Sequence, residues 1–338
     1  MKIDSINIKN YKSLVDIKIN KPNPFTVFVG PNASGKSNIL EAIEFITFNE
    51  SNKMPNKTFV EFGGFTEIIN KNEFQNNSDI KMNFQIELEN DEKPLKLSMQ
   101  FDKNGRFFPN YEILDYDKMM EMILKEKPIL QMHFRIVQRL FINNYIIDRQ
   151  KYQDNQKLDF YASNLEKVLK RLLKEKDEKD EIIEWLQLFI PEFENIEVST
   201  NELSGDDSLL IYEKHTKKPF PKNLLSDGTF NILALLTAVY QSDKPQFLCI
   251  EEPENGLNPQ VIKELVGFFR EACEEKGHYI WLTTHSQTLV SELQPEEVII
   301  VDKKNGETKI KQFKNLNLHG LKMDEAWLSN VLDGGLPW

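Results

Sequence analysis

The run Gly30-Pro31-Asn32-Ala33-Ser34-Gly35-Lys36-Ser37 restricts what this chain can fold into more than any other feature. It satisfies the pattern G-x-x-x-x-G-K-[ST] in full. It also stands where that pattern must stand. The apolar segment Phe25–Val29 before it reads as a strand, and Ile39, Leu40, Ile43 and Ile46 after it recur at helical spacing. Gly30 and Gly35 let the backbone curl so that successive N–H groups face phosphate oxygens, with the positive end of the following helix behind them. Lys36 supplies a point charge for the outer phosphates, and the Ser37 hydroxyl can ligate Mg2+. Asn32, Ala33, Ser34, Gly35, Lys36, Ser37 and Asn38 are therefore the expected nucleotide contacts.

A second cluster has the chemistry to act on such a ligand. The apolar run Phe247-Leu248-Cys249-Ile250 ends in Glu251-Glu252-Pro253-Glu254. Carboxylates at the C-terminal end of a parallel strand face the crevice where ligands bind in open α/β sheets. Glu251 is expected to hold Mg2+ directly or through water, and Glu252 to orient or deprotonate an attacking water. His285 follows another strand-like run, Tyr279–Thr284, at the same kind of strand end, and is expected to sense the terminal phosphate. His133, His215, His278 and His319 have no comparable surroundings and read as structural or exposed.

Composition agrees with an ordinary folded chain. Of 338 residues, 40% are hydrophobic and 28% charged, and 42 basic against 53 acidic residues leave a formal charge of −11. Net acidity argues against a surface wholly given to coating nucleic acid, while a local basic groove stays open. Two cysteines in apolar segments, Cys249 and Cys273, exclude a disulfide scaffold and fit a reducing cytoplasm. The opening MKIDSINIKNYKSL alternates and carries no leader-like apolar run, and no segment reaches the roughly 18 apolar residues of a membrane span.

The order of elements predicts how the two clusters meet. Ile3–Ile8 and Leu14–Ile19 alternate as two strands, and alternation returns from Ile80 to Phe101 with a turn at Asp91-Glu92. Asn49 to Lys57 reads as a loop, and Tyr111 to Phe193 as mainly helical, with stripes at Leu165–Leu173 and Ile182–Phe189. From Leu225 onward helices and apolar strands alternate: helix 231–240, strand 247–250, helix 260–273, strand 279–282, helix 287–293 and strand 298–301. That alternation predicts a parallel sheet with crossover helices, split by a long middle insertion. The expected parts are a first lobe over 1–110, a helical insertion over 111–200, a second lobe over 201–302 and a tail over 303–338.

Taken together, these residues resemble the ATP-binding-cassette ATPases of the SMC/RecF/OLD-like group. Ile8-Lys9-Asn10-Tyr11-Lys12-Ser13-Leu14 is similar to that group's N-terminal strand signature, which adds Lys12 to the implied nucleotide contacts. Leu225-Ser226-Asp227-Gly228-Thr229 resembles the cassette signature loop, with Asp227 replacing one of its usual glycines. Glu251-Glu252-Pro253-Glu254-Asn255-Gly256-Leu257-Asn258-Pro259 resembles the combined Walker B and D-loop, with Glu251 in place of the usual Asp, and Thr284-His285-Ser286 resembles the switch-histidine loop.

The resemblance implies an α/β P-loop fold of ABC-ATPase type: a mixed sheet with flanking helices, an N-terminal antiparallel β-subdomain and a short helical insertion. It implies ATP and Mg2+ as ligands and a head-to-tail dimer. In that dimer Ser226, Asp227 and Gly228 of one subunit complete the ATP site of the other, a role compatible with Ser226 or Asp227 simply capping a helix. A Q-loop glutamine is expected before the strand at 80–86, where Ser78-Asp79 stands instead, and Gln85 lies inside the strand.

The insertion is too short for the coiled-coil arms of SMC proteins, and the 37 residues after Val301 are too few for a Toprim domain at usual domain sizes. The implied role is an ATP-driven switch for a separately encoded, nuclease-like effector in prokaryotic defence, the alternative being a RecF-like repair factor that binds duplex DNA. A P-loop kinase would need neither the signature loop nor the acidic strand end. Lys167, Lys170, Arg171, Lys174 and Lys176 read as a solvated helix face rather than a DNA groove, since Asp177, Glu178, Asp180 and Glu181 cancel much of their charge. The aromatic C-terminus, with Trp327 and Trp338, is expected to pack back on the body, Pro337-Trp338 forming a hook.

Overall fold

The computed structural model describes residues 2–51, 62–71, 82–89, 95–101, 107–113, 136–142, 154–201 and 205–336. The turn expected at Asp91-Glu92, Ser78-Asp79, His133 and the hook at Pro337-Trp338 lie outside them.

Fourteen strands among the described residues form three sheets. The central sheet has six strands. Strand β3 (Phe25–Val29) lies between β12 (Tyr279–Thr284) and β13 (Val298–Lys304), and β12 pairs in turn with β11 (Gln246–Glu251). At the edges stand β7 (Ile136–Leu140), beside β11, and β14 (Glu307–Gln312), beside β13. All pairs are parallel except β13–β14. Side chains alternate across this sheet, as the two-residue period of a strand requires. Phe28, Phe247, Cys249 and Trp281 enter one core, while Phe25, Val27, Leu248, Ile250 and Leu282 enter the other.

Helix α1 (Lys36–Ser51) fills the first core, between the central sheet and a five-stranded antiparallel sheet. That second sheet runs β2 (Leu14–Asn20), β1 (Lys2–Tyr11), β4 (Met82–Glu89), β5 (Leu95–Phe101) and β6 (Phe107–Ile113). Its hairpin register, with Ile8 opposite Ile17 and Ile6 opposite Ile19, keeps the alternating isoleucines on the face toward α1. Each such side chain taken from water contributes roughly 1.5–3 kcal/mol. The loop expected over Asn49–Lys57 begins later, since α1 continues to Ser51, and 52–57 lie outside the described residues.

The second core holds the remaining helices. Helices α3 (Leu165–Leu172) and α4 (Lys176–Phe189) match the two predicted stripes and pack beside α5 (Asp227–Tyr240) and α6 (Pro259–Glu275). The short α2 (Phe65–Ile68) sits by β1 on the other side of the sheet, and α7 (Gln287–Ser291) follows β12. No helix among the described residues is long and apolar enough to cross a membrane.

Three expectations need correction. The middle region is not only helical. β7 belongs to the central sheet, and β8 (Phe193–Thr200), β9 (Asp207–Glu213) and β10 (Phe220–Pro221) form a small antiparallel sheet beneath α3 and α4. Strand β7 escapes a hydrophobic reading because its inner positions include Gln138 and Arg139, whose polar ends are satisfied by partners distant in sequence. Helix α5 starts four residues before the predicted 231, with Ser226 as its cap. The segment read as a tail after 302 adds a strand, β14, to the central sheet, while its aromatic part packs back as expected: α8 (Met323–Leu328) buries Trp327, whose indole N–H donates to Gly335 O at 2.6 Å.

Candidate functional site: a phosphate loop facing an acidic strand end

The loop between β3 and α1 is closed by its own lysine. Lys36 Nζ donates to Gly30 O at 2.8 Å and Pro31 O at 3.0 Å, and the side chain is buried. Burial lowers its pKa from the usual lysine value, and Glu252, Glu254 and Glu251 work against that shift. An arriving phosphate would therefore meet a desolvated cation ready to exchange backbone carbonyls for stronger, charge-assisted partners. Gly35 adopts φ +104°, and a Cβ there would stand 2.0 Å from Thr308 Oγ1. A Cβ at Gly30 would stand 2.0 Å from Val301 O. Only glycine lets the loop lie this close to the β13–β14 hairpin.

That hairpin is a support the sequence reading missed. Thr308 Oγ1 donates to Ser34 O at 2.8 Å and lies 2.6 Å from Ser13 Oγ, which accepts from Asn38 Nδ2 at 2.7 Å. Asn38 thus braces the loop from behind. The available signal was Asn305-Gly306 between alternating runs, the composition of a tight hairpin turn. Lys12 meets Glu41 of α1, which also accepts the Tyr11 hydroxyl at 2.8 Å; its neighbour Ser13 is the residue that touches the loop's support.

Opposite the loop, β11 ends in the two carboxylates. Glu251 Oε2 accepts from Ser37 Oγ at 2.6 Å, so two hard oxygen donors stand side by side at the head of α1. The chemistry of that pair fits Mg2+. Ser34 Oγ, buried without a hydrogen-bond partner among the described residues, adds an unsatisfied polar atom within the same loop. Glu251 Oε1 is held by Arg139 of β7, whose Nε donates at 2.7 Å and whose Nη2 lies 2.5 Å away as an ion pair.

Glu252 takes the left-handed conformation, φ +46°, with its N–H donated to Thr283 O at 3.0 Å. A non-glycine residue held there is a mark of functional sites, because the surrounding structure must impose it. The turn aims Glu252 at the switch loop, where His285 Nδ1 lies 3.3 Å from Glu252 Oε1. Asn255 Nδ2 donates to the other oxygen at 3.3 Å. Glu254 is buried beneath them. Burial raises its pKa, the Thr284 hydroxyl donates to Oε1, and Oε2 has no partner among the described residues. Thr284 Oγ1 also accepts from Ser286 N at 2.9 Å, which fixes the turn carrying His285.

The signature residues lie on the other face. Ser226 caps α5, its Oγ accepting from Thr229 N at 3.1 Å. Helix α5 packs in the second core and α1 in the first, so the two helices lie on opposite faces of the central sheet. Ser226 and Asp227 are exposed, beside Leu224 at 65% exposure. Asn231 Nδ2 donates to Pro253 O and Asn255 O at 2.8 Å each, which ties α5 to the turn after Glu252. Gln85 stands inside β4 and donates to Glu87 at 2.7 Å, within the antiparallel sheet. Buried His278 is structural, as expected.

Comparison with known proteins agrees with this geometry. A family model described as "AAA domain, putative AbiEii toxin, Type IV TA system" matches residues 25–291. The DNA replication and repair protein RecF of Clostridium botulinum (strain Eklund 17B / Type B) is 24% identical over 267 residues, 76% of this chain and 68% of that protein. For RecF of Clostridium beijerinckii the match is 26% over 155 residues, and it spans 42% of that protein's length. An ATP/GTP phosphatase of Helicobacter pylori is 21% identical over 85% of this chain and 86% of its own. Among solved structures, the SMC head domain from Thermotoga maritima superposes with TM-score 0.56 at 14% identity, covering 93% of this chain and all of that one. An SMC head bound to the C-winged helix domain of ScpA gives TM-score 0.61 at 16% identity, covering 93% and 99%. These show an SMC-head fold. With a family match over most of its length, the chain belongs to that AAA-domain family, and it is an SMC/RecF-like P-loop ATPase of the ABC type.

Proposed function

We propose that the chain binds ATP with Mg2+, hydrolyses it to ADP and phosphate, and pairs head to tail with a second copy around the nucleotide. The observation carrying this reading is the placement of Glu252, 3.3 Å from His285, directly after the carboxylate that touches Ser37 of the phosphate loop. In this reading the loop amides and Lys36 hold the outer phosphates. Ser37 and Glu251 would hold Mg2+, which supplies positive charge against the phosphate oxygens. Glu252 takes a proton from the water whose oxygen forms the new bond to the terminal phosphorus, while the bond to the ADP oxygen breaks. His285 and Asn255 keep that carboxylate in place, and through Glu252 the His285 ring would report the phosphate's departure. Ser226 and the N-terminus of α5, on the opposite face from the chain's own α1, present their N–H groups to the phosphate of a partner copy.

The assembly would act as a switch for a separately encoded, nuclease-like effector in antiviral defence; the family description, which names a toxin of a toxin–antitoxin system, supports that setting. A second reading, an ATP-dependent duplex-binding repair factor, is supported by the RecF relatives that match three quarters of the chain. Phosphate release from Mg2+-ATP tests the shared core of both. Duplex binding that requires ATP and falls steeply with salt would favour the repair reading. No duplex binding, with a neighbouring nuclease-like protein co-purifying, would favour the effector reading.

A further inference from the structure

Arg139 has no place in the sequence motifs, yet it reaches three carboxylates, Glu251, Glu44 and Glu41, at the acidic site. Its Nε and Nη2 form a two-pronged pair with Glu251 Oε1, at 2.7 and 2.5 Å. Its Nη1 donates to Glu44 at 3.1 Å and lies 3.7 Å from Glu41, both on α1. The guanidinium plane stands 5.1 Å from the Phe160 ring centre, and Phe160 O in turn accepts from Phe141 N at 2.8 Å. The fork is thus fixed by carboxylates on one side and a ring on the other. Arg139 is 14% exposed and Glu251 11%.

The two oxygens of Glu251 are divided between different tasks. Oε1 faces Arg139, and Oε2 faces Ser37. A glutamate at this position has one more rotatable bond than the aspartate usual in the resembled motif, so its free carboxylate samples more positions and loses more entropy when a ligand fixes it. A planar guanidinium that grips one oxygen removes that freedom before the ligand arrives.

We infer that Arg139 is the positioning residue of Glu251: it fixes the longer carboxylate so that one oxygen is presented, beside Ser37, to the divalent cation of the nucleotide. This rests on the ATPase reading. Arg139 touches neither nucleotide nor cation in this scheme; it acts through Glu251, as outer partners orient the ligands of metal sites generally. It also makes β7, next to the Glu251 strand, part of the site.

The test is a Mn2+ titration by electron paramagnetic resonance of the full chain with a non-hydrolysable ATP analogue, Mn2+ standing in for Mg2+. Wild type is compared with Arg139→Lys and Arg139→Ala, and analogue binding in EDTA is measured alongside. Arg139→Lys keeps a positive charge among Glu41, Glu44 and Glu251, so it guards against simple unfolding. The expected result is Mn2+ affinity about 10-fold weaker in both variants, with binding of the metal-free analogue unchanged. Unchanged Mn2+ affinity, or tighter binding once the arginine is gone, would overturn the inference, the latter making Arg139 a competitor of the cation. A wild-type-like Arg139→Lys beside a weakened Arg139→Ala would also overturn it, because charge alone would then suffice. Failure of wild type to bind Mn2+ with the analogue would overturn the nucleotide reading itself.

Discussion

The hydroxyl of Thr308 donates to the carbonyl of Ser34, 274 residues earlier in the chain, at 2.8 Å. The phosphate loop is therefore held from behind by a hairpin that follows every recognised motif. Thr308→Val keeps the shape but leaves the Ser34 carbonyl and the Ser13 hydroxyl without this partner. Such a loss costs about 1–2 kcal/mol, so ATP affinity by calorimetry should fall roughly tenfold with the far-ultraviolet spectrum unchanged.

Lys36 and Glu252 should separate binding from turnover. Lys36→Ala removes the buried cation and should abolish nucleotide binding and phosphate release together. Glu252→Gln keeps the shape and the hydrogen-bonding reach toward His285 and Asn255 but cannot take a proton. It should bind ATP at near wild-type affinity while phosphate release falls by about two orders of magnitude or more. Filter binding and a phosphate-release assay on the same preparations check both.

At Gly228 the helix α5 touches the loop after Glu252, and an added Cβ would stand 2.4 Å from Gly256 O. Gly228→Ala is favourable to the helix itself, yet the backbone contact must open. The expected outcome is reduced ATP turnover with unaltered ATP binding by the isolated chain, measured by steady-state kinetics and calorimetry.

His278 sets a pH limit on stability. It is buried, accepts from Gln246 N at 3.3 Å through Nδ1 and lies 3.2 Å from Val239 O through Nε2. Burial pushes its pKa down to about 4. In the unfolded chain a histidine titrates near 6.5. Between these values the unfolded chain binds a proton that the folded chain refuses. Stability is thus fully present above pH 6.5 and falls as the pH drops toward 4, by up to about 3 kcal/mol. The urea midpoint should fall between pH 7.5 and pH 5, and His278→Gln should flatten that slope.

The α/β core and the meeting of the phosphate loop with the acidic strand end were readable because local patterns specify them. A glycine loop between an apolar strand and an amphipathic helix, and paired carboxylates ending a buried strand, carry their meaning within a dozen residues. β7 and β14 were not readable in that way. Arg139 and Gln138 look like surface residues until Glu251, Glu44 and Gln241 are brought to them by the sheet. Thr308 looks like any exposed strand residue until the hairpin lays it on Ser34. What joins distant segments is long-range pairing, and a single sequence shows only its local half. The one nearby clue, Asn305-Gly306, marks a hairpin and says nothing of what the hairpin supports.

The central claim is that ATP is shared between two copies, with Ser226 of one meeting the nucleotide of the other. Light scattering of Glu252→Gln with and without Mg2+-ATP tests it most directly, with Glu252→Gln/Ser226→Arg alongside. The account predicts a doubling of mass on adding ATP that the added arginine abolishes. A mass that ATP leaves unchanged, or a doubling indifferent to position 226, would contradict it.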